Sequence, residues 1–268
     1  MVKKLIKHEL FYYLRTLIIF LPIMLLIGLS VKVLSIFESD FIGYQIAYFS
    51  SVGLLYFASI AVSLYTLVLS LVRFYKNMYS QEGYLTFSLP ASTFQLIFSK
   101  LVGSVCCTLL TSVVISISWL ISGFFEIEIM QELITIYDDL FSLINGVHLV
   151  LFIIELFILE IVIIVYSNIL IYTCITIGQT AKKNRILLAI GAYFIYYVAI
   201  QVVVTMFMIV VAIFGLTGAF YWVGVFIENN PYTFFHMLFI GIIIIYSGLT
   251  CLGYYIIQRI INNKLNLE

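Results

Sequence analysis

The chain has 268 residues, of which 64% are hydrophobic, 17% aromatic and only 10% charged, and its 13 basic and 13 acidic residues cancel. Soluble domains are about 45–50% apolar and about 25% charged. This composition, with a mean hydropathy of +1.18, therefore excludes a water-soluble enzyme, a nucleic-acid binder and a disordered regulator, and specifies an all-α polytopic membrane protein.

The chain opens with a basic stretch, residues 1–15. Val2, Leu5, Ile6, Leu10, Tyr13 and Leu14 fall near one helical face, with Lys3, Lys4, Lys7 and Arg15 mostly on the rest. That pattern predicts an amphipathic helix lying in the membrane interface. A span needs about 20 apolar residues to cross about 30 Å of hydrocarbon. Six stretches qualify: 16–37, 45–72, 101–123, 147–178, 186–214 and 233–257. The first has no small-residue cleavage site after it and is read as a retained span, not a signal peptide.

Residues 73–100 connect the second and third spans. Ser92 with Gln95 three positions on has the pattern of a capping box that starts a new helix. Just upstream, Tyr84-Leu85-Thr86-Phe87-Ser88-Leu89 is an apolar and aromatic patch outside any span, set off by Pro90. A knob of this kind fits a partner's groove.

From Ile186 to Phe226 the chain stays apolar, interrupted at Gln201 and at a Gly215-Leu-Thr-Gly218 break. This is too long for one span. Two full spans would carry Arg259 and Lys264 to the side opposite the other basic residues. The pattern instead predicts one span, then a short helix over 215–231 that re-enters the outer leaflet and ends at Asn229-Asn230-Pro231. Backbone at membrane depth is tolerated only where protein or a water-filled cavity covers it, so this stretch is expected to pack inside the molecule.

Sidedness follows from Lys and Arg. Twelve of the 13 basic residues fall at one end of the six spans, and Lys32 alone lies near the other. The acidic residues Glu38, Asp40, Glu126, Glu128, Glu132, Asp138, Asp139 and Glu228 occupy the opposite loops. Both termini are expected in the cytoplasm.

The sequence holds no GxxxxGK[ST] phosphate loop, no GxSxG elbow and no zinc spacing among His8, His148 and His236. Cys106, Cys107, Cys174 and Cys251 all lie in apolar runs and read as structural thiols. The polar residues out of place are Glu155 and Glu160 in the fourth span and Gln201 in the fifth. Intramembrane carboxylates usually face a bundle interior or an aqueous cavity. Each is read either as lining a cation-attracting path or as protonated or hydrogen-bonded to a neighbouring helix. A five-residue separation turns them about 140° apart, so the two glutamates cannot share one narrow seam.

The connection between the second and third spans resembles that of type-2 membrane subunits of ATP-binding-cassette exporters. It carries an acidic residue and glycine (Gln81-Glu82-Gly83), an apolar run (Leu85 to Leu89), Pro90-Ala91-Ser92 and Lys100. Ala91 stands where the family often has Val, and Ser99-Lys100 replaces the frequent Gly-Lys. The resemblance implies six spans, cytoplasmic termini, an interfacial N-terminal helix and a re-entrant element before the sixth span.

Functionally it implies a permease without its own ATP site, similar to those beside bacterial bacteriocin and peptide-resistance exporters. A separate P-loop ATPase would dock on Gln81, Glu82, Gly83, Tyr84, Leu85, Phe87, Leu89 and Pro90. A second permease, identical or paralogous, would complete a path for a hydrophobic or amphipathic substrate, with Glu160, Glu155 and Gln201 as candidate lining residues. No cofactor or nucleic acid enters, and a bacterial plasma membrane is the expected home. Two alternatives stand beside this: an ion-coupled carrier or channel using Glu155 and Glu160, and a membrane assembly or sensor subunit.

Overall fold

The computed structural model describes residues 2–37, 41–88, 90–123, 146–181, 183–216, 218 and 221–264. All regular structure among these residues is helical. The chain forms two compact units, Met1–Leu143 and Ile144–Glu268. The first holds α1 (Val2–Leu17), α2 (Phe20–Ile36), α3 (Ile42–Tyr79), α4 (Gln81–Phe87) and α5 (Thr93–Ser122); the second holds α6 (Gly146–Gly178), α7 (Arg185–Leu216), α8 (Tyr221–Asn229) and α9 (Pro231–Lys264).

Among the described residues, five helices are long and apolar enough to cross a membrane: α3, α5, α6, α7 and α9. A sixth crossing is reached if α1 and α2, which meet at 43°, count as one broken span. Alone, the 17 residues of α2 extend about 26 Å. The bend has a covalent cause. Pro22 has no N–H to offer the Ile18 carbonyl and its ring crowds that turn, so the helix breaks at Ile18-Ile19. The N-terminal helix thus runs to Leu17 instead of ending at residue 15, and Leu14, expected on its packed face, is exposed.

The first unit packs α2 and α1 against α5, with α3 alongside. Gly28 lets α2 approach α5 so closely that a Cβ there would lie 2.5 Å from the Ser118 carbonyl oxygen. Around that contact Met24, Val31, Leu55 and Val62 are buried together, and the Trp119 indole donates to Ser59 Oγ at 3.2 Å. Nearer α1, Tyr13, Leu17, Leu69 and Cys107 form a second apolar cluster.

In the second unit α6 and α9 run side by side in the same direction. Glu155 meets His236, the Tyr166 and Tyr246 rings lie 4.9 Å apart, and Thr173 Oγ1 reaches the Gly253 carbonyl at 3.4 Å. Helix α7 returns antiparallel, its start held by Asn184 at φ 56°. Val202, Val203, Met206 and Phe207 are all exposed, a surface suited to hydrocarbon and not to water.

The break expected at Gly215–Gly218 is present. Helix α7 ends at Leu216, and Gly218 turns the chain at φ 72°, a conformation glycine adopts without a Cβ penalty. Helix α8 follows, but it has no buried residue, and Tyr221 and Trp222 are largely exposed. Where 215–231 was expected to pack inside the molecule, its described helical part, Tyr221–Asn229, is not buried. A nine-residue helix is only about 14 Å long, and its packed neighbour is α9.

Candidate functional site

Most of the connection read as residues 73–100 is helical. Helix α3 continues unbroken through Arg73 to Tyr79, a length of 38 residues. Ser80 is extended (φ −99°, ψ −172°) and separates it from α4. The Ser88 amide closes α4 on the Tyr84 carbonyl. Helix α5 begins with the capping box read from the sequence: the Gln95 amide donates to Ser92 Oγ, and the Ser92 amide donates to Gln95 Oε1, both at 3.3 Å.

Helix α4 holds most of the candidate docking residues. Gln81 and Glu82 form its exposed first turn, Gly83 is its one buried residue, and Phe87 is half-buried at its end. Tyr84 is 50% and Leu85 73% exposed. Pro90 is exposed in the turn beyond; Leu89 lies outside the described residues, as do Lys182 and the acidic stretch 126–139.

Beneath α4 lies a cluster that sequence reasoning missed. Glu9 of α1 is only 4% exposed. Its carboxylate accepts from Arg73 Nε at 3.0 Å and Nη2 at 3.4 Å, from Asn77 Nδ2 at 3.2 Å, and from Lys100 Nζ. Arg73 stacks over the Tyr12 ring at 4.0 Å. Its remaining nitrogen, Nη1, points toward Glu82 Oε2 at 4.0 Å. Gly103, one turn beyond Lys100, makes the approach of α1 possible, because a Cβ there would lie 2.9 Å from that of Glu9.

The electrostatics explain why so buried a carboxylate stays ionised. Burial by itself raises the Glu9 pKa, but the Lys100 charge and the Arg73 and Lys100 hydrogen bonds outweigh it, holding the group below its ordinary value of 4.5. A cavity of about 600 Å³ opens beside the cluster, edged by Lys4, His8, Glu82, Leu85 and Leu96. Among the described residues no three His, Cys, Asp or Glu side chains are placed to hold a metal ion. What the arrangement can do is tie α1, α3 and α5 to one point directly under α4.

One signal of Glu9 was present in the sequence. It is the sole acid in the basic N-terminal stretch, and with Tyr13 and Leu17 it forms an i, i+4, i+8 stripe.

The intramembrane candidates divide. Glu155 of α6 pairs with His236 Nδ1 of α9 at 2.8 Å. Glu160 is exposed on a different face of α6, and Gln201 is exposed on α7. The structure thus brings Glu155 to a histidine that the sequence left scattered, and does not join it to Glu160. Comparisons with protein-family models, with curated proteins and with solved structures find no match to this chain.

Proposed function

We propose that this chain is the transmembrane permease subunit of an ATP-binding-cassette exporter in a bacterial plasma membrane, with both termini cytoplasmic. The observation that carries the reading is α4: a seven-residue helix between two long apolar helices, turning Tyr84 and Leu85 outward. An exposed aromatic–aliphatic pair at such a position is the kind of anchor a partner's pocket takes. The partner is a separate P-loop ATPase that binds and hydrolyses ATP, docking on Gln81 to Pro90. The bent pair α1–α2 supplies the first of six crossings, its N-terminal part lying toward the membrane interface, and α8 is the short outer-leaflet element before the sixth.

Six spans are half of a pathway, so a second permease, identical or paralogous, completes it. The substrate is hydrophobic or amphipathic, a peptide or antibiotic. Glu160 and Gln201, both exposed near the middles of α6 and α7, are the residues offered to that path. Affinity capture of the full chain from its native membrane tests the reading. A stoichiometric P-loop ATPase is expected, and it is lost in Tyr84→Asp/Leu85→Asp while the chain remains inserted. Recovery of the chain alone overturns the proposal.

One observation favours a second reading, an ion-coupled carrier: the Glu155–His236 pair joins an acid and an imidazole between two apolar helices, a unit able to hold and pass a proton. Transport by the chain without any ATPase, abolished in Glu155→Gln, would establish it.

A further inference from the structure

Among the residues joined by ion pairs through Glu9 and Arg73, the charge sums to zero only when α4 is counted. Glu9 pairs with both Arg73 and Lys100, which leaves one positive charge in excess. Glu82 of α4 supplies the missing negative charge from 4.0 Å, and its side chain is 55% exposed where Glu9 and Lys100 are buried. The guanidinium divides its nitrogens accordingly: Nε and Nη2 serve Glu9, and Nη1 faces Glu82. Helix α4 packs against α3 and is short. Gly83 is its one buried residue, and Ser80 gives its N-terminus no side-chain cap.

We propose that Glu82 is a latch: the solvent-reachable charge that neutralises the buried Glu9–Arg73–Lys100 cluster and thereby holds α4 down on α1, α3 and α5. Releasing it frees α4 to pivot at the extended residue Ser80 without disturbing the cluster, which keeps its own pairs. Glu82 therefore acts inward, on Arg73, and the outward docking surface is left to Tyr84 and Leu85. The meaning of the latch for transport rests on the coupling role proposed above; its existence does not.

Hydrogen exchange on the full chain in lipid nanodiscs, with no ATPase present, tests the latch separately from the permease reading. A failure to capture an ATPase would leave this result standing, and the reverse also holds. In Glu82→Gln the α4 amides should exchange about two- to fivefold faster, the range of a half-exposed ion pair, while α1 amides around Glu9 are unchanged. Sodium chloride at 1 M, where the screening length is about 3 Å, should move wild type toward Glu82→Gln and leave the variant unmoved.

Glu82 also sits in the first turn of α4, where any acid is favoured by the helix dipole. The double variant Gln81→Glu/Glu82→Gln returns an acid to that turn about 100° away around the helix. It should exchange as fast as Glu82→Gln. Wild-type exchange in the double variant, no change in Glu82→Gln, or an equal salt response in both proteins would overturn the proposal.

Discussion

Glu9 and Lys100, 91 residues apart in the chain, form a buried ion pair between α1 and α5. Removing one partner of such a pair leaves an uncompensated buried charge, at a cost of about 3–5 kcal/mol. Glu9→Ala should sit at the upper end, because it leaves Arg73 and Lys100 facing each other with no anion between them. Lys100→Met should cost less, since Arg73 and Asn77 still serve Glu9. Thermal unfolding in detergent gives the order. A smaller drop for Glu9→Ala than for Lys100→Met would contradict the cluster.

The same carboxylate makes stability depend on pH in a defined direction. Its folded pKa lies below the ordinary 4.5, so between the two values the unfolded chain binds the proton more readily. Its contribution is complete above about pH 4.5 and is lost as the pH falls through the folded value. Unfolding midpoints taken from pH 6 to pH 3 should fall more steeply for wild type than for Glu9→Gln. Parallel curves would remove Glu9 from the account.

Gly28 and Gly53 predict opposite outcomes for one substitution. An alanine Cβ at position 28 meets the Ser118 carbonyl at 2.5 Å, a backbone atom that cannot step aside, whereas at position 53 nothing lies within 4 Å. Gly28→Ala should therefore cost about 1–3 kcal/mol through overpacking. Gly53→Ala, in the open interior of α3, should be neutral or stabilise by up to about 1 kcal/mol from helix propensity. Melting temperatures of the two variants decide the matter.

The pairing of Glu155 with His236 predicts non-additivity. His236→Leu removes a partner from a mostly buried acceptor and should cost about 1–3 kcal/mol. Replacing both residues by Leu removes the need for a partner, so the double variant should recover part of that loss. A double variant as unstable as the sum of the single ones would show that the two residues do not act on each other.

Much of the fold could be read from hydrophobic length alone. Spans announce themselves through runs of some twenty apolar residues, and local signals placed the Ser92–Gln95 cap and the Gly218 break. The failures share a cause. Glu9 looked like one more polar residue on an amphipathic helix, because its partners Arg73, Asn77 and Lys100 come from distant positions that no periodicity links. His236 looked scattered for the same reason, its partner Glu155 being 81 residues away. The continuation of α3 past residue 72 does not show in hydrophobic length, because Arg73, Lys76 and Asn77 end the apolar run, whereas a helix that has left the apolar layer tolerates them.

That continuation ties the protein to the thickness of its bilayer. The apolar part of α3, residues 45–72, would stretch about 42 Å against about 30 Å of hydrocarbon, an excess that a rigid rod meets by leaning. Because α4 is carried at the end of this rod, longer acyl chains stand α3 more upright and lift Tyr84 and Leu85 away from the headgroups, and shorter ones lower them. Fluorescence quenching of a probe on α4 by lipid-borne quenchers, in bilayers of increasing chain length, should weaken steadily. The height at which the protein carries Tyr84 and Leu85 is thus partly a property of the lipid around it.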